Sequence, residues 1–240
     1  MLIFLDMEKT GIEAEDKICS IGLLVEDASS KKVFYDLVNA GKKISPKASS
    51  VNHITKEMLR GKPTIVESQA YKFLLQNNSQ ETTLVGHNIQ ADLEMLRAEG
   101  FEFKGAIIDT SRVTKHLVPE CEIFALQILR YELKLYKEEE QVNTTFGVQK
   151  GLCAHNALSD AVVVKTLYDY LLEMASKEKM QELSFLNVLM QKLSFGKHEG
   201  KYIEDVAIND RSYLEWMLNA VVDLDEDLRY SVDYYLEGSR

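Results

Sequence analysis

Long apolar runs are absent from this sequence, and so are basic residues at its start. No stretch of the 240 residues approaches the roughly 18 apolar residues that span a bilayer. The N-terminal apolar run ends at Asp6 and has no basic region before it. We therefore expect neither a membrane segment nor a secretory signal.

Cysteine and proline are also scarce. The three cysteines, Cys19, Cys121 and Cys153, are odd in number and form no C-x-x-C pair, which is typical of reduced thiols in a cytoplasmic protein. Only 3 prolines and 12 glycines interrupt a chain that is 45% hydrophobic and 28% charged, the composition of an ordinary globular protein. Its length suffices for one core of ~150–200 residues and a smaller appendage.

Positive charge is in deficit, since the net charge is −10. This balance argues against a protein that holds nucleic acid on a broad cationic face. It does not exclude an enzyme that takes phosphates into a small metal-filled pocket, where acids serve as ligands. Charge alone therefore leaves the partner class open.

The hydrophobic pattern predicts strands first and helices later. Apolar, β-branched and aromatic runs joined by short polar connections predict an antiparallel meander, followed by alternating helices and strands in the order βββαβαβαα. The predicted strands cover residues 1–6, 17–26, 31–39, 82–88 and 106–110, and the predicted helices cover 64–77, 88–100, 123–136 and 156–174. Asn88 is the expected N-cap of the helix 88–100. This order predicts an α/β fold, a mixed five-stranded sheet flanked by helices.

The chain divides into a large and a small part. We predict a first domain over residues 1–175, a helical connector over 176–192 and a small C-terminal α+β module over 193–240. The module's pattern suggests a short β-turn-β unit followed by a helix, and an acidic run, DLDEDL, follows near the end.

Four acids occupy positions where a solvated charge is not expected. Strand alternation places Asp6 and Glu8 on one face with Leu2 and Phe4, while both faces of the strand are apolar. Asp160 shares a helical stripe with apolar residues, and Asp92 lies on the inward side of its helix. Each acid alone is more often structural than functional. Together the four need a common compensation, and hard oxygen ligands from several carboxylates suit Mg²⁺ or Mn²⁺.

His155 lies five residues before Asp160, in the loop that opens the helix. A lone histidine is more often structural than catalytic. A histidine beside a carboxylate metal site is nevertheless well suited to accept a proton from water. Two metal ions and such a base are the components of phosphodiester hydrolysis.

Three motifs carry a family resemblance over roughly residues 1–172. The segments DMEKTG (6–11), GHNIQAD (86–92) and HNALSD (155–160) resemble, in order and spacing, the motifs of the DEDDh 3′–5′ exonucleases, the group that includes the ε subunit of bacterial DNA polymerase III. A narrower resemblance links residues 195–218 to the C-terminal module of exonuclease X-type proteins. The resemblance implies a ribonuclease H-like fold.

The resemblance also implies roles for individual residues. Asp6, Glu8, Asp92 and Asp160 would bind two Mg²⁺ or Mn²⁺ ions, and His155 would act as general base. Two positions depart from the family pattern: Lys9 replaces a usual Thr, and Ala91 replaces a frequent aromatic residue. Neither is a ligand, so the departures bear on how the terminal nucleotide is held.

The expected reaction is metal-dependent release of nucleoside 5′-monophosphates from the 3′ ends of single-stranded DNA. The backbone around Met7 and Thr10 is the expected seat of the terminal 3′-OH, with Asn88 as a further substrate contact or only a helix cap. Asp109 is expected to support the site without binding metal. Two alternatives remain: an RNA-directed 3′–5′ exonuclease of the oligoribonuclease or RNA-maturing type, and a non-catalytic nucleic-acid or replisome adaptor. Protein partners are not predicted.

The C-terminal module has two interpretations. In the segment FGKHEGK (195–201), Lys197, His198 and Lys201 lie between Phe195 and Tyr202 in an otherwise acidic protein, so the segment could hold a single strand. Alternatively, the module is only a small folded unit, whose core is expected from the residues of its last predicted helix: Tyr213, Leu214, Trp216, Met217 and Leu218.

Overall fold

The computed structural model describes residues 1–13, 15–149 and 154–238. These residues form two compact units, 1–184 and 185–240. Within the described ranges, no helix is both long and apolar enough to cross a membrane. Cys19 and Cys121 are buried free thiols, whereas the prediction for Cys153 lies outside the described residues.

The first unit is built on a five-stranded mixed sheet. Its strands are β1 (Leu2–Lys9), β2 (Ile18–Asp27), β3 (Ser30–Leu37), β4 (Thr83–Gly86) and β5 (Ala106–Asp109). Their order is β3-β2-β1-β4-β5, with β1, β2 and β3 antiparallel and with β4 and β5 parallel to β1. The predicted meander and the mixed five-stranded sheet are confirmed.

Helices surround this sheet. Those of the first unit are α1 (Pro46–Asn52), α2 (Lys56–Leu59), α3 (Gln69–Gln76), α4 (Gln90–Ala98), α5 (Thr110–Leu117), α6 (Leu126–Glu132), α7 (Glu139–Phe146), α8 (Ala157–Leu172) and α9 (Lys177–Leu183). The helix expected over 64–77 begins as a 3₁₀ turn and becomes α-helical only at Gln69. The helix expected over 123–136 is shorter, because Lys134 adopts a left-handed conformation and only a 3₁₀ turn follows.

Both faces of β1 are buried, as its apolar pattern predicts. Phe4 packs with α8 in one hydrophobic cluster, while Ile3, Leu5 and Met7 pack with α3 and α4 in another. The two clusters cover the opposite faces of the sheet. The strand end that carries Asp6 and Glu8 is therefore fixed by packing on both sides.

The second unit is more helical than predicted. It contains α10 (Ile203–Asn209), α11 (Arg211–Ala220) and α12 (Glu226–Gly238), and the expected β-turn-β unit is reduced to one bridge between Lys192 and Tyr202. The acidic run does not form a tail but opens α12, where negative side chains are favourable beside the helix N-terminus.

The predicted connector over 176–192 is helical only in α9. Beyond it the backbone is engaged differently, since the amides of Val188 and Met190 donate to the Asp227 carboxylate and the Ser231 hydroxyl of α12, at 2.9 and 2.7 Å. These bonds replace helical hydrogen bonds and hold the segment against α12.

Candidate active site

The exit of β1 lies against the start of α8 because a glycine allows it. Asp6 pairs in register with Gly22 of β2. A Cβ at Gly22 would lie 2.4 Å from backbone atoms of Ala157, the first residue of α8. This close approach brings the first turn of α8, which carries Asp160, beside Asp6 and Glu8.

Asp160 is buried and has hydrogen-bond partners on both oxygens. Its Oδ2 accepts the backbone N–H of His155 at 3.1 Å, and its Oδ1 accepts from Nε2 of Gln127 at 2.6 Å. The Gln127 Oε1 accepts in turn from Arg130 at 3.3 Å, and Arg130 makes a bidentate ion pair with Glu139 at 2.5 and 2.7 Å. The Asp160 carboxylate is therefore held in one orientation by a chain of three side chains.

Asp92 enters the site from α4, where it is buried. The turn before α4 is held by Asp109, whose Oδ1 accepts the N–H of Asn88 at 2.9 Å and also caps α5. Asn88 adopts a left-handed conformation (φ 57°) and does not cap α4; the helix begins after Ile89 instead. The prediction that Asn88 caps α4 is wrong: its backbone N–H is bound to Asp109, and Asn88 is exposed.

Burial and neighbouring acids raise the pKa values of Asp6 and Glu8. Burial raises the pKa of Asp6 well above its usual range, with added repulsion from Asp92, Asp160 and Glu8. Burial, together with repulsion from Asp160, also raises the pKa of Glu8 to about 8, partly offset by a hydrogen bond from Asn52.

The pKa values of Asp92 and Asp160 are also raised, mainly by burial, with smaller repulsion from Asp109 and Glu139 respectively. Burial raises their pKa values to about 7 and about 6 respectively. For Asp92 the nearby Lys9 ammonium opposes the shift, as it does for Asp6 and Glu8. Lys9, a departure from the family motif, thus supplies partial counter-charge to three of the four carboxylates.

His155 stands at the open side of this cluster. It is exposed and left-handed (φ 59°), and its backbone N–H is bound to Asp160. As the sequence predicts, His155 lies in the loop that precedes α8. The ring is therefore accessible to a water molecule next to the carboxylates.

The donor set fits a divalent cation. Ligand atoms of Glu8, His155 and Asp160 all lie within 4.8 Å of one another. Mutually repelling, desolvated carboxylates are costly unless a cation neutralises them, and carboxylate oxygens are the ligands of Mg²⁺ and Mn²⁺. These residues could hold a metal, and Asp6 and Asp92 lie near them, since repulsion from Asp92 and Asp160 contributes to the raised pKa of Asp6.

A groove of about 850 Å³ adjoins this centre. It is lined by β1, α1, α4 and the loop after β1, and includes Met7, Glu8, Lys9 and Ala91. Thr10, by contrast, is fully buried: its hydroxyl donates to Asp16 at 2.7 Å, and its backbone N–H and carbonyl bond to Lys17 and Ser45. Of the two predicted contacts, Met7 lines the groove and Thr10 supports the loop beneath it.

Two further residues of the site were not predicted from the sequence. Asn52, at the end of α1, binds the carbonyl of Lys9 at 3.2 Å and the Glu8 side chain. Gln127 binds Asp160 from a separate helix. Neither belongs to one of the three motifs, and each is a polar residue that its local sequence does not distinguish from a surface residue. Only the tertiary fold identifies them.

The sheet and the carboxylate cluster define a nuclease of ribonuclease H-like fold. A family model described as Exonuclease, RNase_T, matches residues 3–168, and a model described as Exodeoxyribonuclease X-like C-terminal matches residues 193–221. The chain belongs to the RNase_T exonuclease family. The predicted fold and 3′–5′ exonuclease activity are thereby confirmed.

Individual relatives agree with this assignment. Exodeoxyribonuclease 10 of Escherichia coli K12 is 27% identical over 243 residues and 100% of both chains, and the DNA polymerase III subunit epsilon of Treponema pallidum is 29% identical over 180 residues, 72% of this chain and 77% of that protein. The fold is similar to that of exonuclease X in complex with 5′ overhanging duplex DNA, with a TM-score of 0.60 and 23% identity, over 77% of this chain and 99% of that one.

Proposed function

We propose that this protein removes nucleoside 5′-monophosphates from the 3′ ends of single-stranded DNA, with two Mg²⁺ or Mn²⁺ ions as cofactors. The observation that supports the proposal is the cluster of four carboxylates with raised pKa values, with an exposed histidine beside Glu8 and Asp160. The similarity to an exodeoxyribonuclease over the whole chain favours DNA as the substrate.

The residues of the cluster would have different roles in the reaction. Asp6, Glu8, Asp92 and Asp160 would hold the ions, which when bound neutralise the phosphate and lower the pKa of a water ligand. A ring nitrogen of His155 would accept a proton from the water that attacks phosphorus. The P–O3′ bond breaks, the 3′-oxygen leaves with a proton from solvent, and the terminal nucleotide departs with the phosphate on its 5′ position.

The groove would hold the terminal nucleotide. Met7, Ala91 and Lys9 line it next to Glu8, so the end of the strand can lie there with its last phosphate at the carboxylates. The exposed Asn88 at the turn before α4 remains a proposed contact. Thr10 would act through the loop it supports, since its polar groups have internal partners.

The domain assignment and cellular location also remain proposals. The compact unit 1–184 would be the exonuclease domain, somewhat longer than the predicted 1–175. The unit 185–240 would be the module. A cytoplasmic location is inferred from cysteine usage alone.

A digest of 5′-labelled strands tests the function. We expect a DNA strand to shorten from its 3′ end in Mg²⁺, with no shortening in EDTA or with the Asp6→Asn variant. An RNA strand of the same sequence is digested in parallel. Digestion of RNA alone would support the same reaction but indicate an RNA-directed exonuclease. Digestion of neither strand would favour the alternative of a non-catalytic adaptor.

A further inference from the structure

The second unit carries a loop with an excess of lysines, although the chain as a whole is acidic. Residues 192–202 contain three lysines against one glutamate, in a chain of net charge −10. Gly196 and Gly200 adopt positive φ values of 84° and 78°, which fold the loop back on itself. The amide of Gly200 bonds to the carbonyl of Leu193 at 2.8 Å and closes the loop.

A buried histidine orders the lysines of this loop. His198 is buried, and its Nε2 donates to the Asp210 carboxylate at 2.8 Å, while its Nδ1 accepts from the Lys201 ammonium at 3.2 Å. Lys197 binds the same oxygen of Asp210 at 2.7 Å, yet its side chain is 65% exposed. Asp210 and His198 together thus hold two ammonium groups in place at the surface.

Aromatic side chains lie close to this group of residues, and some of them are exposed. The Tyr213 hydroxyl accepts the N–H of Lys197, its ring contacts His198, and its ring centre lies 5.7 Å from that of Trp216. Trp216 is 55% exposed, whereas Leu214 and Met217 of the same helix are fully buried. The expectation that Trp216 belongs to the core of this unit is therefore wrong. Phe195 and Tyr202 of the loop are exposed as well.

Ordered ammonium groups and exposed aromatic rings have a common ligand. Lysines contact the phosphates of a single strand, and aromatic rings stack on its unpaired bases. A group of exposed apolar residues, unlike a single one, often marks an interaction site. Duplex DNA offers phosphates but no free base faces, so it would not use the rings.

We propose that the loop 192–202, with Trp216 beside it, is a second binding surface for single-stranded DNA, in which Lys197 and Lys201 contact phosphates and a base stacks on Trp216. The proposal extends the function proposed above and rests on it for the identity of the strand.

Trp216 is the single tryptophan of the chain, so it reports on this surface directly. Its fluorescence, excited at 295 nm, is titrated with a (dT)₁₂ strand in EDTA, where the unneutralised carboxylates repel phosphate and hydrolysis is prevented. We expect saturable quenching. A blunt duplex of the same length is expected to quench much less.

The Lys197→Gln/Lys201→Gln variant tests the phosphate contacts. Loss of two contacts to a single strand should lower the slope of log K against log salt by about 1.4. The matched control Lys177→Gln/Lys179→Gln, on α9, removes the same charge and should leave the slope unchanged. Lys197→Arg/Lys201→Arg should retain the wild-type slope, which separates loss of charge from loss of folding.

Two results would overturn the proposal: no quenching at saturating strand, or an unchanged slope in the glutamine pair. Binding to labelled strand should also weaken about tenfold in Trp216→Leu, because one stacking contact is lost. Hydrolysis in Mg²⁺ is measured separately. Hydrolysis without quenching refutes this surface alone, and quenching without hydrolysis refutes the proposed function alone.

Discussion

Aspartates in the two units lie in opposite electrostatic environments. At the end of β1 and the start of α8, carboxylates face one another, and burial raises the pKa of Asp160 to about 6. In the second unit, Asp210 accepts hydrogen bonds from Lys197 and His198, which hold its pKa well below the usual range. The first acids have only partial counter-charge from Lys9 within the chain, whereas Asp210 binds Lys197 and His198. The imbalance of charge at the first acids marks them as the candidate chemical centre.

The histidines of the two regions differ in the same way. His198 is buried with partners on both ring nitrogens. His155 is exposed and is bound to Asp160 through its backbone N–H. A ring that organises structure has its hydrogen bonds satisfied, and a ring that transfers protons must reach solvent or substrate.

The largest expected effect follows from removing one charge from each region. We expect Asp160→Asn to abolish hydrolysis, because a metal ligand is lost. In EDTA the variant should unfold at the same temperature as the wild type or higher, since repulsion with Asp6 and Glu8 is relieved. Asp210→Asn should instead lower the unfolding temperature. Circular dichroism melts and the strand digest measure both, and near-normal turnover of Asp160→Asn would refute the metal assignment.

A substitution of His155 should have the next largest effect. We expect His155→Asn to reduce kcat by roughly 10²–10⁴-fold, the usual cost of losing a general base. Asparagine is chosen because it adopts the left-handed backbone at this position more readily than alanine does. The comparison is His198→Asn, which should lower thermal stability. A wild-type rate for His155→Asn across the pH range would make His155 a structural residue.

A smaller effect is expected from Gln127, which touches Asp160 but no substrate. Gln127→Ala frees the Asp160 carboxylate to rotate, and losing such a support typically costs about 10–100-fold in metal affinity or activity. We expect the Mn²⁺ concentration for half-maximal activity to rise by this factor, with kcat at saturating metal changed less. The matched control is Gln181→Ala, on α9. Gln127→Glu is unsuitable as a control because it adds a charge. An unchanged metal dependence would show that Gln127 does not position Asp160.

Gln127 also shows which parts of the candidate site the sequence can predict and which it cannot. Asp6, Glu8, Asp92 and Asp160 could be found because each interrupts an apolar pattern whose period was clear. The five strands could be found for the same reason. Gln127 lies in a segment whose helix breaks at Lys134, and nothing in its local pattern distinguishes it from a surface residue.

The errors have physical causes of the same kind. Asn88 has the residue type and position of an N-cap, but its N–H is bound to Asp109, 21 residues later, and its backbone is left-handed. Trp216 follows the apolar pattern of α11 but lies on its exposed side. Local rules could not anticipate either outcome, because both depend on the tertiary structure.

The smallest effect, and a direct test of the contrast between the two kinds of acid, is the pH dependence of stability. The pKa values of Glu8, Asp92 and Asp160 are raised in the folded protein to about 8, 7 and 6. Between about pH 4 and pH 8 the unfolded chain therefore binds fewer protons at these positions than the folded one, so their contribution to the free energy of unfolding falls as pH rises.

Metal binding should reverse this loss. Mn²⁺ at saturation should raise the unfolding temperature more at pH 8 than at pH 6, because at pH 6 it must displace protons from the carboxylates. Asp16 and Asp210 do not interfere, since their lowered pKa values place their contribution below about pH 4. In Asp160→Asn the difference between the two pH values should shrink. Equal increments at both pH values in the wild type would show that the four carboxylates do not titrate as a metal-binding cluster.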